Sequence, residues 1–257
     1  MEDAMKWLEE EKEVGDLALF LDFDGTLAPI VERPADARPV SGVVPVVEAI
    51  SKSIPVAVVS GRGLDDVRHR LGARGIYYAG SHGMEIRDPK GDVHEFEALR
   101  GLLPELDRQE QWLRRIFADV DGVEVERKRY GIAVHYRRNP QARQMVESRL
   151  EEAARRGGTR LKTTSGKMVR EVQPDVNLDK GTALRYIGER IDPEGRRRPM
   201  YIGDDRTDED AFAVIGDKGV CILVGDEPRE TLAHYGLRNP AAVCTFLEKL
   251  AARLDEK

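Results

Sequence analysis

Cysteine is scarce: Cys221 lies in an apolar run and Cys244 in a helix-like stretch, and these two in 257 residues make neither a disulfide framework nor a metal or redox spacing. Both read as small buried hydrophobes. No apolar run approaches the roughly 20 residues that span a bilayer. The acidic start, Met1-Glu-Asp-Ala-Met-Lys-Trp-Leu-Glu-Glu10, lacks the basic and apolar regions of a signal peptide. The expectation is a cytoplasmic protein with no membrane contact. Net positive charge is also missing, since the formal charge is −6. That balance argues against nucleic acid as a partner.

What is present describes a folded chain. Hydrophobic residues make up 40% and charged residues 34%, which fits neither disorder nor membrane insertion. The length allows one large domain or a core with an inserted lobe. Charge is segregated: residues 121–173 carry 13 Lys or Arg against 7 Asp or Glu. Either this segment has solvated helix faces, or it is a basic lobe turned toward an acidic centre that shares an anionic ligand with it.

The chain is organised around Leu17-Ala-Leu-Phe-Leu-Asp22-Phe-Asp24-Gly-Thr-Leu-Ala-Pro-Ile30. Five apolar residues without alternation predict a strand covered on both faces of a parallel sheet. Asp22 and Asp24 follow it, two apart, and residues at that spacing project the same way. A solvated turn would carry such a pair, but ligands of open α/β sheets bind beyond the carboxyl ends of the strands. An EF-hand loop needs glycine at its sixth position, and Gly25 is the fourth.

The same pattern recurs downstream. Pro55-Val-Ala-Val-Val59 predicts a second buried strand, ended by Ser60-Gly-Arg62-Gly before a helix bearing Leu64, Val67 and Leu71. Ser60 is either the cap of that helix or part of an anion site. A third strand, Ile76 to Ala79, runs into Gly80-Ser-His82-Gly83. In Asn177-Leu-Asp179-Lys180, Asp179 is a plausible N-cap, which puts Lys180 in the first helical turn. A cation there opposes the helix dipole unless it reaches solvent or finds a negative partner. Pro199-Met-Tyr-Ile202 ends in Gly203-Asp204-Asp205-Arg-Thr207-Asp208-Glu209-Asp210. Capping explains part of that acidity but not Asp204 and Asp205. With Asp22 and Asp24 they would form an oxygen cage suited to magnesium.

Between these segments the pattern changes. A long helix from Leu102 to Val120, strands at Val123–Glu126 and Ile132–Arg137, a helix from Pro140 to Arg156 and two strands around Ser165-Gly166 give an αββαββ lobe. It reads as an inserted α+β layer. His135 and Arg137 alternate with Val134 and Tyr136, so they should share a sheet face, either solvated or roofing a pocket.

Asp22-Phe-Asp-Gly-Thr26, Ser60, Lys180 and Gly203-Asp-Asp205, in that order at strand ends, resemble the four motifs of the haloacid-dehalogenase-like phosphatases. Val59-Ser-Gly-Arg62, Gly80-Ser-His-Gly83, His135-Tyr-Arg137, Gly166-Lys167 with Glu171, and the run Gly203 to Asp210 resemble the trehalose-6-phosphate phosphatase family. The resemblance implies an α/β fold with a Rossmann-like parallel-sheet core, residues 1–101 and 174–257, and an inserted α+β cap of the C2 type, residues 102–173. It implies Asp22 as nucleophile, Asp24 as acid and base, and Ser60 and Lys180 on the phosphate. It further implies Mg2+ held among Asp22, Asp24, Asp204, Asp205 and Asp208. Arg62, His82, Gly83, His135, Arg137, Lys167 and Glu171 are then expected at the sugar phosphate. No synthase segment is recognisable, so partnership with a trehalose-6-phosphate synthase would be in trans. A sucrose-phosphate or mannosyl-3-phosphoglycerate phosphatase is the alternative within the class, and a non-catalytic phosphosugar sensor the alternative outside it.

Overall fold

The structure is a computed structural model that describes residues 2–166, 168–227 and 229–256. It divides into two compact units, 1–94 with 178–257, and 95–177. The second unit reaches beyond 102–173 at both ends.

In chain order the first unit opens with β1 (Glu2–Asp3), α1 (Ala4–Glu10), β2 (Leu17–Leu21), α2 (Val43–Ile50), β3 (Val56–Val59), α3 (Leu64–Leu71), β4 (Tyr77–Gly80) and β5 (Glu85–Arg87), and β6 (Val93–Glu95) spans the unit boundary. The second unit holds α4 (Glu97–Arg100), α5 (Leu103–Phe117), β7 (Glu124–Lys128), β8 (Gly131–His135), α6 (Arg143–Arg156), β9 (Leu161–Gly166) and β10 (Val169–Pro174). The first unit resumes with α7 (Lys180–Ile191), β11 (Arg198–Gly203), α8 (Glu209–Ile215), β12 (Val220–Val224), β13 (Tyr235–Leu237) and α9 (Pro240–Asp255).

Among the described residues the main sheet runs β1-β13-β12-β11-β2-β3-β4-β5-β6. Pairing is parallel from β1 through β4, and β5 is antiparallel to β4. All five residues of β2 are buried, as expected of a strand with a neighbour on each side and helices on both faces. Leu17, Leu19 and Leu21 belong to a core with Met200, Ile202 and residues of α2, α3 and α9, including Val47, Leu64 and Phe246. Tyr201, which alternates with Met200 and Ile202, meets Phe212 of α8 edge-on with ring centroids 5.8 Å apart.

The sheet order has a functional consequence. From β2 the chain moves outward through β3 and β4, then returns to fill the other side with β11 and β12. The order therefore reverses at β2, and the crevice beyond the carboxyl end of such a strand is where open α/β sheets bind ligands. Asp22 is the next residue, and its N–H donates to the Ile202 carbonyl at 2.9 Å, so the β2–β11 ladder fixes its backbone.

The helices start where their caps allow. Asp179 accepts the Thr182 N–H at 2.7 Å and starts α7, and Asn239 accepts the Ala242 N–H at 3.0 Å before Pro240 at the first position of α9. Among the described residues no helix is long and apolar enough to cross a membrane.

The second unit is an antiparallel sheet, β7-β8-β10-β9, with α5 and α6 packed on it. Ile132, Val134, Tyr136 and Val172 enter a core with Leu106, Leu113, Phe117, Val146 and Leu150 of the helices. Ala133, His135 and Glu171 point to the opposite face by the period of two. Strand β8 stops at His135, and Arg137 lies in the turn after it, yet from Val134 to Arg137 buried and half-buried residues alternate.

Gly80, at the end of β4, passes so close to α3 that a Cβ there would sit 2.3 Å from the Leu64 nitrogen and 2.5 Å from its Cα. Backbone cannot step aside as a side chain can. Gly80→Ala is expected to destabilise the chain by about 1–3 kcal/mol, read as a fall in the urea midpoint; an unchanged midpoint would contradict this packing.

Candidate active site

Side chains from two strand-end turns and one helix start meet in the crevice beyond β2. Lys180, the first residue of α7, donates to Asp22 Oδ1 at 2.8 Å and to Asp208 Oδ1 at 2.7 Å. All three are buried. Its unfavourable place at a helix N-terminus is thereby offset by two carboxylates. Both Asp208 oxygens are engaged: Oδ1 also accepts the Tyr201 hydroxyl at 2.8 Å, and Oδ2 accepts the Asp205 N–H at 2.9 Å.

Asp204 completes the group. Among the described residues, Asp22, Asp204 and Asp208 form a set in which one carboxylate oxygen from each lies within 4.8 Å of the other two. Three carboxylates face one ammonium, so the site is short of positive charge. Burial, opposed by Lys180, pushes the Asp22 carboxyl well above its ordinary value. Burial, together with the Asp208 charge, pushes Asp204 up to about 7. Lys180 stays firmly protonated, because its two carboxylate partners outweigh the cost of burial. Asp204 Oδ1 is buried with no hydrogen-bond partner. An all-oxygen donor set with excess negative charge and an unpartnered oxygen suits a hard divalent cation such as Mg2+, not a thiolate- or imidazole-seeking metal. The close approach of the turns is built in at Gly25 (φ 79°), where a Cβ would come within 2.0 Å of the Asp204 carboxylate.

The carboxylates of Asp24 and Asp205 are engaged elsewhere. Asp24 is clamped by Arg62, with Nε to Oδ2 at 2.6 Å and Nη2 to Oδ1 at 2.7 Å. The exposed Asp205 takes the Arg206 N–H at 2.7 Å and forms a capping box with Asp208.

Ser60 is buried at the end of β3 and does not cap α3, whose N-cap is Gly63. Its Oγ accepts the Arg62 N–H at 3.2 Å, and its carbonyl accepts the His82 N–H at 2.9 Å. His82 has left-handed backbone (φ 57°), as does Ser81 (φ 51°), a costly pair for non-glycine residues. Its ring lies against Gly61, where a Cβ would be 2.7 Å away. Gly83 (φ 99°) brings this turn onto α7, where a Cβ would meet Ala183 at 2.6 Å.

In the second unit, His135 Nε2 lies 2.7 Å from Glu126 Oε2, and Glu171 accepts from Lys128 at 2.6 Å. Arg137 is half-buried in the turn after β8. Lys167 lies outside the described residues.

Several residues in these networks escape sequence reasoning. Tyr201 sits inside a buried strand, where nothing distinguishes it from packing. Lys128 was legible in principle, since it shares strand parity with Glu126 across from Glu171. Asp66 accepts from Arg62 at 2.8 Å and from Arg70 at 2.8 and 2.9 Å. The same two arginines donate to carbonyls of Pro34, Ala35 and Ala37 and tie down the loop after the first motif.

The parallel sheet with an acidic crevice at its reversal strand, interrupted by an antiparallel lobe, defines a haloacid-dehalogenase-like fold. Solved structures agree. A phosphatase of that superfamily from Bacteroides thetaiotaomicron superposes with a TM-score of 0.57 at 15% identity, covering 90% of this chain and 92% of that one. A crystal structure titled as a trehalose-6-phosphate phosphatase related protein reaches a TM-score of 0.81 at 26% identity, over 93% of this chain and all of that one. Residues 20–240 fit the trehalose-phosphatase family, and the chain belongs to it. It is 42% identical to a trehalose-phosphate phosphatase of Mycobacterium ulcerans over 93% of its own length and spans 62% of that relative.

The Asp66 network gives a prediction with a definite sign. Burial opposes ionisation of Asp66, but Arg70 and Arg62 more than offset it and hold the carboxyl below its ordinary value of 3.8. A depressed native pKa contributes stability above the unfolded value that is lost as pH falls through the native one. Asp66→Asn should cost about 0.5–1 kcal/mol at neutral pH for this half-exposed network, and the deficit should shrink toward about pH 3 in denaturant titrations. A deficit that does not change with pH would contradict the assignment.

Proposed function

We propose that this chain hydrolyses trehalose 6-phosphate to trehalose and phosphate through a phosphorylated Asp22. The observation that carries this reading is the buried Asp22–Lys180 pair at the end of the reversal strand, in a chain of the trehalose-phosphatase family. The mycobacterial relatives named as trehalose-phosphate phosphatases support the substrate.

Asp22 attacks phosphorus, and the bond from phosphorus to the sugar oxygen breaks as the oxygen leaves. Asp24 delivers the proton that the oxygen needs, then removes one from the water that cleaves the acyl phosphate. Arg62 holds both Asp24 oxygens in the resting site, so it must give way when Asp24 takes up its acid role. Lys180 keeps one Asp22 oxygen in place and carries charge complementary to the equatorial phosphate oxygens, to which the Ser60 hydroxyl would donate a hydrogen bond. Asp208 acts through others: it holds Lys180 and the Asp205 N–H. Asp22 and Asp204, with Asp208 beside them, would hold Mg2+, which when bound offsets repulsion between carboxylate and phosphate. Sugar selection we assign to His82 with Gly83 in the core, and to His135, Arg137, Lys167 and Glu171 with Lys128 in the second unit, because sugar hydroxyls need hydrogen-bonding side chains.

Phosphate release from a panel of sugar phosphates tests the substrate: kcat/KM should be highest for trehalose 6-phosphate, and a preference for sucrose 6-phosphate or mannosyl-3-phosphoglycerate would overturn that part. Asp22→Asn should lose about 1,000-fold or more in kcat with an unchanged circular dichroism spectrum. A variant that keeps turning over would remove Asp22 from the nucleophile role.

A further inference from the structure

The loop between β12 and β13 bears no phosphatase motif, yet one of its side chains grips the acidic turn from behind. Arg229 Nη1 donates to the Asp204 carbonyl at 2.8 Å, and Nη2 to the Asp205 carbonyl at 3.0 Å. Nη2 also reaches Glu209 Oε1 at 3.2 Å. Glu209, the first residue of α8, accepts the Thr231 hydroxyl and the Leu232 N–H, both at 2.8 Å. The loop that carries Arg229 is therefore fastened to the helix that follows the acidic turn.

One peptide unit feels this grip from both ends. Arg229 holds the Asp204 carbonyl, and Asp208 Oδ2 takes the N–H of Asp205 at 2.9 Å. A peptide plane held at both its oxygen and its nitrogen cannot rotate, so the direction in which the Asp204 side chain leaves the backbone is set. That direction is costly for a lone carboxylate. Asp204 Oδ1 is buried without a partner, and the carboxylate of Asp208 lies close by with like charge. Freed of the clamp, the side chain would relieve both costs by turning to solvent.

We propose that Arg229, tethered by Glu209, is a positioning residue that aims the Asp204 carboxylate into the divalent-cation site. The proposal rests on the reading of Asp22, Asp204 and Asp208 as the cation-binding group. Two simpler roles give different outcomes. As a source of positive charge, Arg229 would repel a cation, and its loss would tighten binding. As a general staple of the β12–β13 loop, it would govern the stability of the metal-free protein.

Calorimetric titration of the full chain with Mg2+, without substrate, separates these, run beside thermal unfolding in EDTA. Arg229→Met should weaken Mg2+ binding about 10-fold, the scale of outer-shell effects on metal affinity. Arg229→Lys should weaken it comparably, because an ammonium keeps the charge but not the planar fork that spans two carbonyls and a carboxylate. Glu209→Gln should give a smaller loss, and Arg229→Met combined with Glu209→Gln should bind no more weakly than Arg229→Met alone. Unfolding temperatures in EDTA should stay near wild type. Unchanged or tighter binding by Arg229→Lys would overturn the positioning role, as would a collapse of the unfolding temperature in EDTA. A wild-type chain that takes up no Mg2+ at millimolar concentration would overturn the cation reading itself, and the proposal with it.

Discussion

The site depends on a charge imbalance held out of water. Three carboxylates, Asp22, Asp204 and Asp208, share the end of a central strand with one ammonium, Lys180. A buried charge without compensation costs several kcal/mol, so this arrangement has a reason to exist only if something positive, and then something anionic, completes it. Much of the surrounding chain serves to keep the carboxylates from moving apart. The β2–β11 ladder fixes Asp22, α7 delivers Lys180, Tyr201 and Lys180 engage Asp208, and Arg229 holds the peptide after Asp204. Each restraint acts on backbone or on a buried hydrogen bond, which is what keeps mutually repelling groups in register.

A second hydrogen-bonded network lies beside the first. Arg62 takes Asp24 with one part of its guanidinium and Asp66 with another, while resting over the ring of Phe23 at 5.5 Å. Two acids that follow one strand, two residues apart, thus meet opposite environments. Asp22 faces a lysine and two carboxylates in the interior. Asp24 faces an arginine at the edge, with a third of its side chain exposed. The roles proposed for them, a nucleophile that stays in place and an acid that exchanges protons with water, call for such a difference.

The placement of the candidate site was legible because a parallel sheet brings the carboxyl ends of its strands to one edge. Acidic or small polar residues directly after unbroken apolar runs therefore mark that edge at Asp22, Ser60 and Asp204. The cap motif before α7 likewise placed Lys180. What escaped was held by tertiary contact alone. Tyr201 has the pattern of any core strand residue. Asp66 reads as an ordinary first-turn acid of α3, and Arg229 as one more charge in a polar loop. Strand β13 was missed because three residues carry no periodicity. In the second unit, alternation gave the open face through Arg137, but the end of β8 at His135 depends on a turn that the alternation does not record.

The central claim is that Asp22 itself carries the phosphoryl group during turnover. Rapid acid quench of the full chain with trehalose 6-phosphate and Mg2+, followed by borohydride reduction and peptide mass spectrometry, reads this directly. The account predicts reduction of Asp22 to homoserine in the quenched enzyme and not in a substrate-free control. Steady phosphate release with Asp22 left unmodified, or with the reduced residue found elsewhere, would contradict it.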